Sequence, residues 1–291
     1  MLNPYRRSLL YVPGSSARML EKAETRACDT VIVDLEDAVA PAEKEEARIR
    51  AGRFLDASKR EKELFIRVND VGSSLFEEDV RMAAEHRADA IVLPKACSRA
   101  VAVADRLLCR LDPENTVGLI PLVETAQGLS ELRELLLGSG RIIAVQFGAE
   151  DFTRDMEIER TKTGEEVRFA RQIIGLLCRS RNVQAIDTPY VDYRDEAGLE
   201  SDSLVAKSCG FGAKTCIHPA QVDTVNRLFM PGEKEISFAQ RVMQEAQREE
   251  NRRLGAFSLD GKMVDAPVIA RAEGVLARAE RYGLIDNQNE R

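Results

Sequence analysis

The chain has 291 residues, 44% hydrophobic and 31% charged with both signs mixed, the balance of a globular protein able to bury a large core. Lys and Arg total 42 against 49 Asp and Glu, a net charge of -7, which excludes bulk nucleic-acid binding because that needs a positive field to displace counterions. The six cysteines (Cys28, Cys97, Cys109, Cys178, Cys209, Cys216) form no CxxC pair and no metal-type spacing with His86 or His218, so buried thiols of a cytoplasmic protein are expected. The N-terminal apolar run is too short for a signal peptide, and no stretch reaches membrane-spanning length.

Eight short β-branched or apolar runs follow one another. They are SLLYVP after Arg7, TVIVDLED from Thr30, ELFIRVN from Glu63, DAIVLPK from Asp89, TVGLIPLVE from Thr116, RIIAVQFG from Arg141, VQAIDTP from Val183 and AKTCIHP from Ala213. Each interval leaves room for one helix and two short loops. SARMLEKAETR, AEKEEARIRAGRFLDA, LFEEDVRMAAEH and Glu165 to Arg179 all carry helical patterns. Strands alternating with helices predict a parallel sheet, and eight such units in about 220 residues predict an α/β fold of the closed (β/α)8 TIM barrel type. An open doubly wound sheet is the main competitor, yet there is neither GxGxxG nor GxxxxGK[ST].

After His218 the pattern changes. Pro231-Gly232 breaks the chain, a charged amphipathic helix is expected from Glu233 to Arg253, and AFSLDGKMVDAP reads as a loop. Pro267 is expected at the first position of a last helix that Gly283 ends, and Asp286 to Arg291 are expected to fray. The expected division is a barrel domain over 1–230 and a helical extension over 231–291 that covers a barrel mouth.

In such a barrel the loops after the strands build the site. The second run ends in Asp34, Glu36 and Asp37, the third in Arg67 and Asn69, the fourth in Lys95, the fifth in Glu124, and the sixth in Gly148-Ala149 followed by Glu150 and Asp151. A carboxylate closing the apolar LIPLVE is costly unless paired or bound to a cation. Glu124 and Asp151 together suit Mg²⁺, which keeps several waters and accepts substrate oxygens, and the near absence of histidine disfavours zinc. The glycine of Gly148 lets backbone amides approach a ligand. Arg67, among apolar neighbours, needs anionic partners, whether a substrate carboxylate or Asp34 and Glu36. His218 at a strand end with no orienting partner reads as a structural hydrogen bonder before a general base.

RRSLLYVPGSSARML, VIVDLEDAVAPAEKEEAR, FIRVN, IVLPK, PLVETAQGL, FGAEDF, AIDTPYVD, GFGAKTCIHPAQV and GKMVDAPVIARAEGVLARA, in this order, resemble the citrate lyase β subunit and its stand-alone relatives, the malyl-CoA and citramalyl-CoA lyases. The resemblance implies a (β/α)8 barrel with a C-terminal extension and Mg²⁺-dependent cleavage or formation of a carbon–carbon bond in an acyl-CoA, with a 2-oxo acid as the other product. It implies Glu124 and Asp151 as metal ligands and Arg67 as the substrate and enolate contact; Glu36 and Lys95, at the ends of the second and fourth runs, are expected beside the substrate. The backbone of Gly148 and Ala149 would meet the keto-acid carboxylate, Asp265 would serve as acid or base, brought in some members from an adjacent protomer, and Arg18 and Lys22 would approach CoA phosphates. A homo-oligomer, trimer or hexamer, is implied as well. Two alternatives stay open: an Mg²⁺-dependent aldolase acting without CoA, and a subunit that works on an acyl-carrier thioester only with partner chains.

Overall fold

The computed structural model describes residues 6–248 and 255–286. The expected fraying after Asp286 and the stretch from 249 to Arg253 lie outside the described residues. The chain divides into two compact units, Met1–Arg227 and Leu228–Arg291.

In the first unit β1 (Ser8–Pro13), β2 (Thr30–Asp34), β3 (Glu63–Arg67), β4 (Ala90–Leu93), β5 (Gly118–Val123), β6 (Ala144–Phe147), β7 (Gln184–Asp187) and β8 (Ala213–Cys216) close in sequence order into a parallel barrel. β1 pairs with both β2 and β8. The intervening helices are α1 (Ala17–Glu24), α2 (Lys44–Ala57), α3 (Phe76–Glu85), α4 (Ser98–Leu111), the short α5 (Ala126–Ser130) and α6 (Leu132–Leu135), α7 (Ala149–Asp155), α8 (Arg168–Ser180) and α9 (Glu196–Ser208), and α10 (Val222–Phe229) follows β8. The expected (β/α)8 barrel is therefore the observed one. The competing open sheet fails because the register from β8 back to β1 is made.

Burial explains why these runs are strands. β2, β4, β5, β6 and β8 are buried on every residue, as a sheet between a filled interior and a ring of helices requires. Leu9, Ile32, Phe65, Val92, Ile120 and Ile186 meet in the interior. Arg6 closes the end where the strands begin: its guanidinium holds Glu63 at 2.5 and 2.9 Å and Gln184 at 3.2 Å and lies over Phe65.

A second polar group is fully enclosed. Arg171 on α8 grips Asp187 of β7 at 2.9 and 3.0 Å and Asp202 of α9 at 2.8 and 3.0 Å. Lys214 of β8 reaches the same two aspartates at 2.5 Å each. Two cations and two carboxylates thus tie two helices to two strands. The charges balance, so neither pair is left unmatched in low dielectric.

The second unit holds α11 (Glu233–Gln247), β9 (Ala256–Leu259), β10 (Lys262–Asp265) and α12 (Ala266–Arg281). Ile236, Val242, Leu259, Val264, Val275 and Ala279 form its core. The stretch expected to be a loop is a β-hairpin. Asp260 and Gly261 both take positive φ, 52° and 73°, as a two-residue hairpin turn demands, and Phe257 pairs with Val264. α11 stops at Gln247, where Arg248 turns extended. Pro267 stands at the second helical position, because Ala266 takes the first and Asp265 caps the helix. Among the described residues no helix is long and apolar enough to cross a membrane.

Candidate active site

Where the barrel strands end, a cavity of about 400 Å³ opens, and its lining includes Tyr11, Asp34, Arg67, Glu124, Gln146 and Asp151. Strand register places these groups. Asp34 and Arg67 are partners across β2 and β3, so their side chains emerge side by side. Arg67 donates from Nε to Asp34 Oδ1 at 2.7 Å and from Nη2 to Asp34 Oδ2 at 2.6 Å, a bidentate pair. Nη1 is left between Glu36 at 3.2 Å and Asp37 at 3.4 Å, while the Tyr11 ring covers the guanidinium at 5.1 Å. Asp34 also accepts from the amides of Glu36 and Ala38, which fixes the loop after β2.

The register of β5 on β6 pairs Val123 with Phe147 and so brings Glu124 against Gly148. A Cβ at Gly148 would fall 2.8 Å from Glu124 Cβ and 2.9 Å from its Oε2, so only glycine lets the two strand ends close this tightly. Glu124 is 2% exposed. Its Oε1 accepts from the Lys95 amide at 2.7 Å, an amide presented by Lys95 at a positive φ of 48°. Oε2 has no hydrogen-bond partner among the described residues. Burial pushes the Glu124 carboxyl up to about 8; the Lys95 amide opposes this, and the nearby charges of Asp151 and Glu36 add to it.

Asp151, in the first turn of α7, lines the same cavity and pairs with Arg154 at 2.5 Å. That arginine is 73% exposed, so the pair is cheap to open. A buried carboxylate raised by a second carboxylate is relieved by a cation, and this is how the pair fits a hard divalent ion. Among the described residues no group of three or more His, Cys, Asp or Glu could hold a metal. The protein offers two carboxylates, and the remaining positions would fall to water and substrate oxygens, the coordination Mg²⁺ favours.

Not every residue expected at the site lines this cavity. Glu36 and Lys95 do not line the cavity; the Lys95 ammonium lies 2.5 Å from Glu36 Oε1, and burial raises the Glu36 carboxyl against the pull of Arg67 and Lys95. The pair touches both Arg67 and Glu124: Glu36 lies 3.2 Å from Arg67 Nη1, and the turn after β4 offers its amide, not its ammonium, to Glu124. The amides of Gly148 and Ala149 are already used, donating to Val123 O and to Thr188 Oγ1, each at 3.0 Å. The following first-turn amides of α7, at Glu150 and Asp151, are the ones an α-helix leaves without internal partners. Arg18 and Lys22 are exposed one turn apart on α1, outside the cavity lining. Asp265, in the second unit, accepts from Val268 N at 3.3 Å as the cap of α12. His218 caps a short helical turn and stacks on Tyr193 at 4.4 Å, a structural post.

Sequence reasoning passed over Tyr11, Gln146 and Thr188. The Tyr11 hydroxyl and the Gln146 amide exchange hydrogen bonds at 3.1 and 2.8 Å above the interior layer. A glutamine inside the otherwise apolar AVQF of β6 was the available signal.

A closed parallel barrel with carboxylates, one arginine and a cavity at the carboxyl ends of its strands is an enzyme architecture. Residues 7–219 match the family model described as HpcH/HpaI aldolase/citrate lyase, and the chain belongs to that family. Both activities in that description break a carbon–carbon bond, and the chain is a carbon–carbon lyase of the oxo-acid-lyase type. It is 37% identical to the citrate lyase subunit beta of Escherichia coli over 96% of this chain and 95% of that protein. It is 33% identical to the human mitochondrial citramalyl-CoA lyase over 94% of this chain and 85% of that one. A solved structure of the Mycobacterium tuberculosis protein CitE in complex with magnesium, acetoacetate and coenzyme A superposes with a TM-score of 0.79 at 29% identity, covering 94% of this chain and 98% of that one.

Proposed function

We propose that the chain cleaves, or in reverse forms, a 3-hydroxyacyl-CoA such as citramalyl-, citryl- or malyl-CoA, giving acetyl-CoA and a 2-oxo acid with Mg²⁺ as cofactor. The observation that carries this reading is the meeting of the buried Glu124 with the part-buried Asp151 and Arg67 in one cavity at the strand ends. The magnesium in the solved relative and the lyase names of the relatives support it.

Glu124 and Asp151 would hold the ion, which when bound supplies a Lewis acid for the keto-acid oxygens. Glu124 is fixed for this by the Lys95 amide, so little reorganisation is needed. In cleavage the 3-hydroxyl loses its proton, the carbon–carbon bond breaks, and its electron pair passes to the thioester as an enolate. Arg67, clamped by Asp34, presents a guanidinium whose orientation is set before substrate arrives. Such a preorganised donor is worth roughly a few kcal/mol to a developing oxyanion. Asp265 is the proposed proton-transfer group, supported by the resemblance of the KMVDAP stretch. Arg18 and Lys22 are the proposed CoA phosphate contacts, supported by their exposure on the helix that follows β1, whose Val12 and Pro13 line the cavity. A cytoplasmic homo-oligomer belongs to the same proposal.

The test is to incubate the purified chain with Mg²⁺ and each thioester and follow keto-acid release, alongside Arg67→Ala and Asp151→Ala. Loss of release in both variants, with the fold retained, is the expected result; near-wild-type turnover in either refutes the role given to it. A second reading keeps the chemistry but places the acyl group on a carrier-protein thioester, and the subunit relatives favour it. Turnover of free CoA thioesters by the isolated chain excludes that reading.

A further inference from the structure

Resting on that lyase reading, we infer that Tyr11 is a positioning residue: its ring sets the angle of the Arg67 guanidinium, and Gln146 on another strand holds the ring. The fork on Asp34 does not fix Arg67 by itself. It takes up Nε and Nη2 along one edge, which leaves the flat group able to rock about that edge. Nη1 lies 3.2 Å from Glu36 and 3.4 Å from Asp37, and the Asp37 side chain is 62% exposed, so part of the pull on that corner comes from a solvated loop residue. What lies against the flat face is the Tyr11 ring, whose centroid is 5.1 Å from Arg67 Cζ. A cation over an aromatic face is attracted by the ring's quadrupole, and that attraction opposes the rocking.

Register puts the ring there. Pro13 of β1 is the partner of Asp34, so Tyr11, two residues earlier, points to the same face of the sheet and partners Ile32. Ile32 belongs to the interior layer, and Tyr11 packs against that layer. The Tyr11 hydroxyl then reaches Gln146 of β6, at 3.1 Å from Oε1 and 2.8 Å from Nε2, although β7 and β8 stand between β1 and β6 in the wall. Gln146 is 2% exposed and is fixed by its pairing with Leu122 on one side and Ile186 on the other. The ring is thus anchored at both ends, by its Cβ on β1 and by its hydroxyl on β6, with a face on the guanidinium.

A ring that only filled space would add to stability and leave the chemistry alone. A ring that sets the angle of a preorganised donor acts on the barrier, because a reacting group misplaced by a fraction of its bond length to substrate loses most of its effect. Loss of an interaction made in the transition state lowers kcat and leaves KM almost unchanged. The two roles therefore separate in kinetics.

The experiment measures kcat and KM of the full chain with Mg²⁺, on whichever thioester it turns over fastest, for Tyr11→Phe and Tyr11→Leu. Phenylalanine keeps the face and gives up the anchor, so kcat should stay within about fivefold of wild type. Leucine removes the face, so kcat should fall about 30-fold or more while KM moves by less than about threefold. Calorimetric Mg²⁺ titration should give wild-type affinity for both variants. A leucine variant with wild-type kcat overturns the inference, as does a phenylalanine variant that falls equally far. Loss of Mg²⁺ affinity along with kcat in the leucine variant also overturns it, by making Tyr11 a post for the whole site. A second readout needs no turnover: the rate at which phenylglyoxal, an arginine-directed reagent, modifies Arg67, followed by peptide mass spectrometry. It should rise at least about threefold when leucine uncovers the guanidinium and hardly change with phenylalanine. If the wild type releases no keto acid from any thioester, the lyase reading fails, while faster modification in the leucine variant upholds the hold of the ring on Arg67. Equal rates in wild type and leucine variant overturn the inference whatever the activity. Tyr11→Met, a flexible filler without an aromatic face, takes the place of leucine in both measurements if the leucine variant does not fold.

Discussion

Lys95 serves Glu124 with its backbone and Glu36 with its side chain: its amide donates to Glu124 Oε1 at 2.7 Å while its ammonium sits 2.5 Å from Glu36 Oε1. One residue at positive φ thereby locks the buried carboxylate and neutralises the acid behind it. Glu124→Gln keeps an oxygen for the Lys95 amide and removes the charge. The expected outcome is a folded protein with Mg²⁺ affinity reduced at least about ten-fold and turnover lost. Calorimetric Mg²⁺ titration checks this, and wild-type affinity in the variant would remove Glu124 from the ligand set.

The barrel was legible because its signal repeats: eight apolar runs, with room for a helix in each interval and a helical pattern in four of them, leave few topologies. Arg67, Glu124 and Asp151 were legible for a related reason, being charges at the ends of runs otherwise buried. The placement of Glu36 and Lys95 was not, since a sequence does not say whether a lysine offers its ammonium or its amide, and that depends on the left-handed backbone at Lys95. The enclosed group of Arg171, Asp187, Asp202 and Lys214 was invisible because its members belong to four elements that only tertiary folding brings together. The hairpin at Asp260-Gly261 did carry a signal, the Asp-Gly turn pair, but its flanking strands are only four residues each.

The Asp34 clamp on Arg67 can be tested apart from the metal. Asp34→Asn retains one acceptor for the guanidinium and loses the bidentate charge pair. Freed from that fork, Arg67 is drawn to Glu36 and Asp37. Roughly a hundred-fold loss in kcat/KM is expected, the scale on which removing one preorganised donor acts, with Mg²⁺ affinity little changed. Parallel kinetics and metal titration check it; equal losses in both would mean that the loop after β2 has collapsed.

The enclosed ion network makes a prediction about stability and pH. Burial works to raise the Asp202 carboxyl, but Lys214 and Arg171 outweigh it and hold the group below its ordinary value. A depressed carboxyl stabilises the fold above the unfolded-state value of about 3.9, and that contribution is lost as pH falls through the lower folded-state value. Asp202→Asn leaves two buried cations on Asp187 alone and should cost about 3–5 kcal/mol at pH 7. Denaturant titrations of both proteins should show this gap undiminished down to about pH 4 and narrowing only below it. A gap absent at pH 7 would make the network energetically idle.

Asp265 has a local task that must be separated from the catalytic one proposed for it. It caps α12 by accepting from Val268 N. Asparagine is as good a cap as aspartate, whereas alanine forfeits about 1 kcal/mol of helix stability. If Asp265 transfers the proton, Asp265→Asn and Asp265→Ala should both lose turnover, and only the alanine variant should melt earlier. Thermal scans paired with keto-acid release decide the matter. An asparagine variant that turns over normally would reduce Asp265 to its capping role and send the search for the proton-transfer group elsewhere.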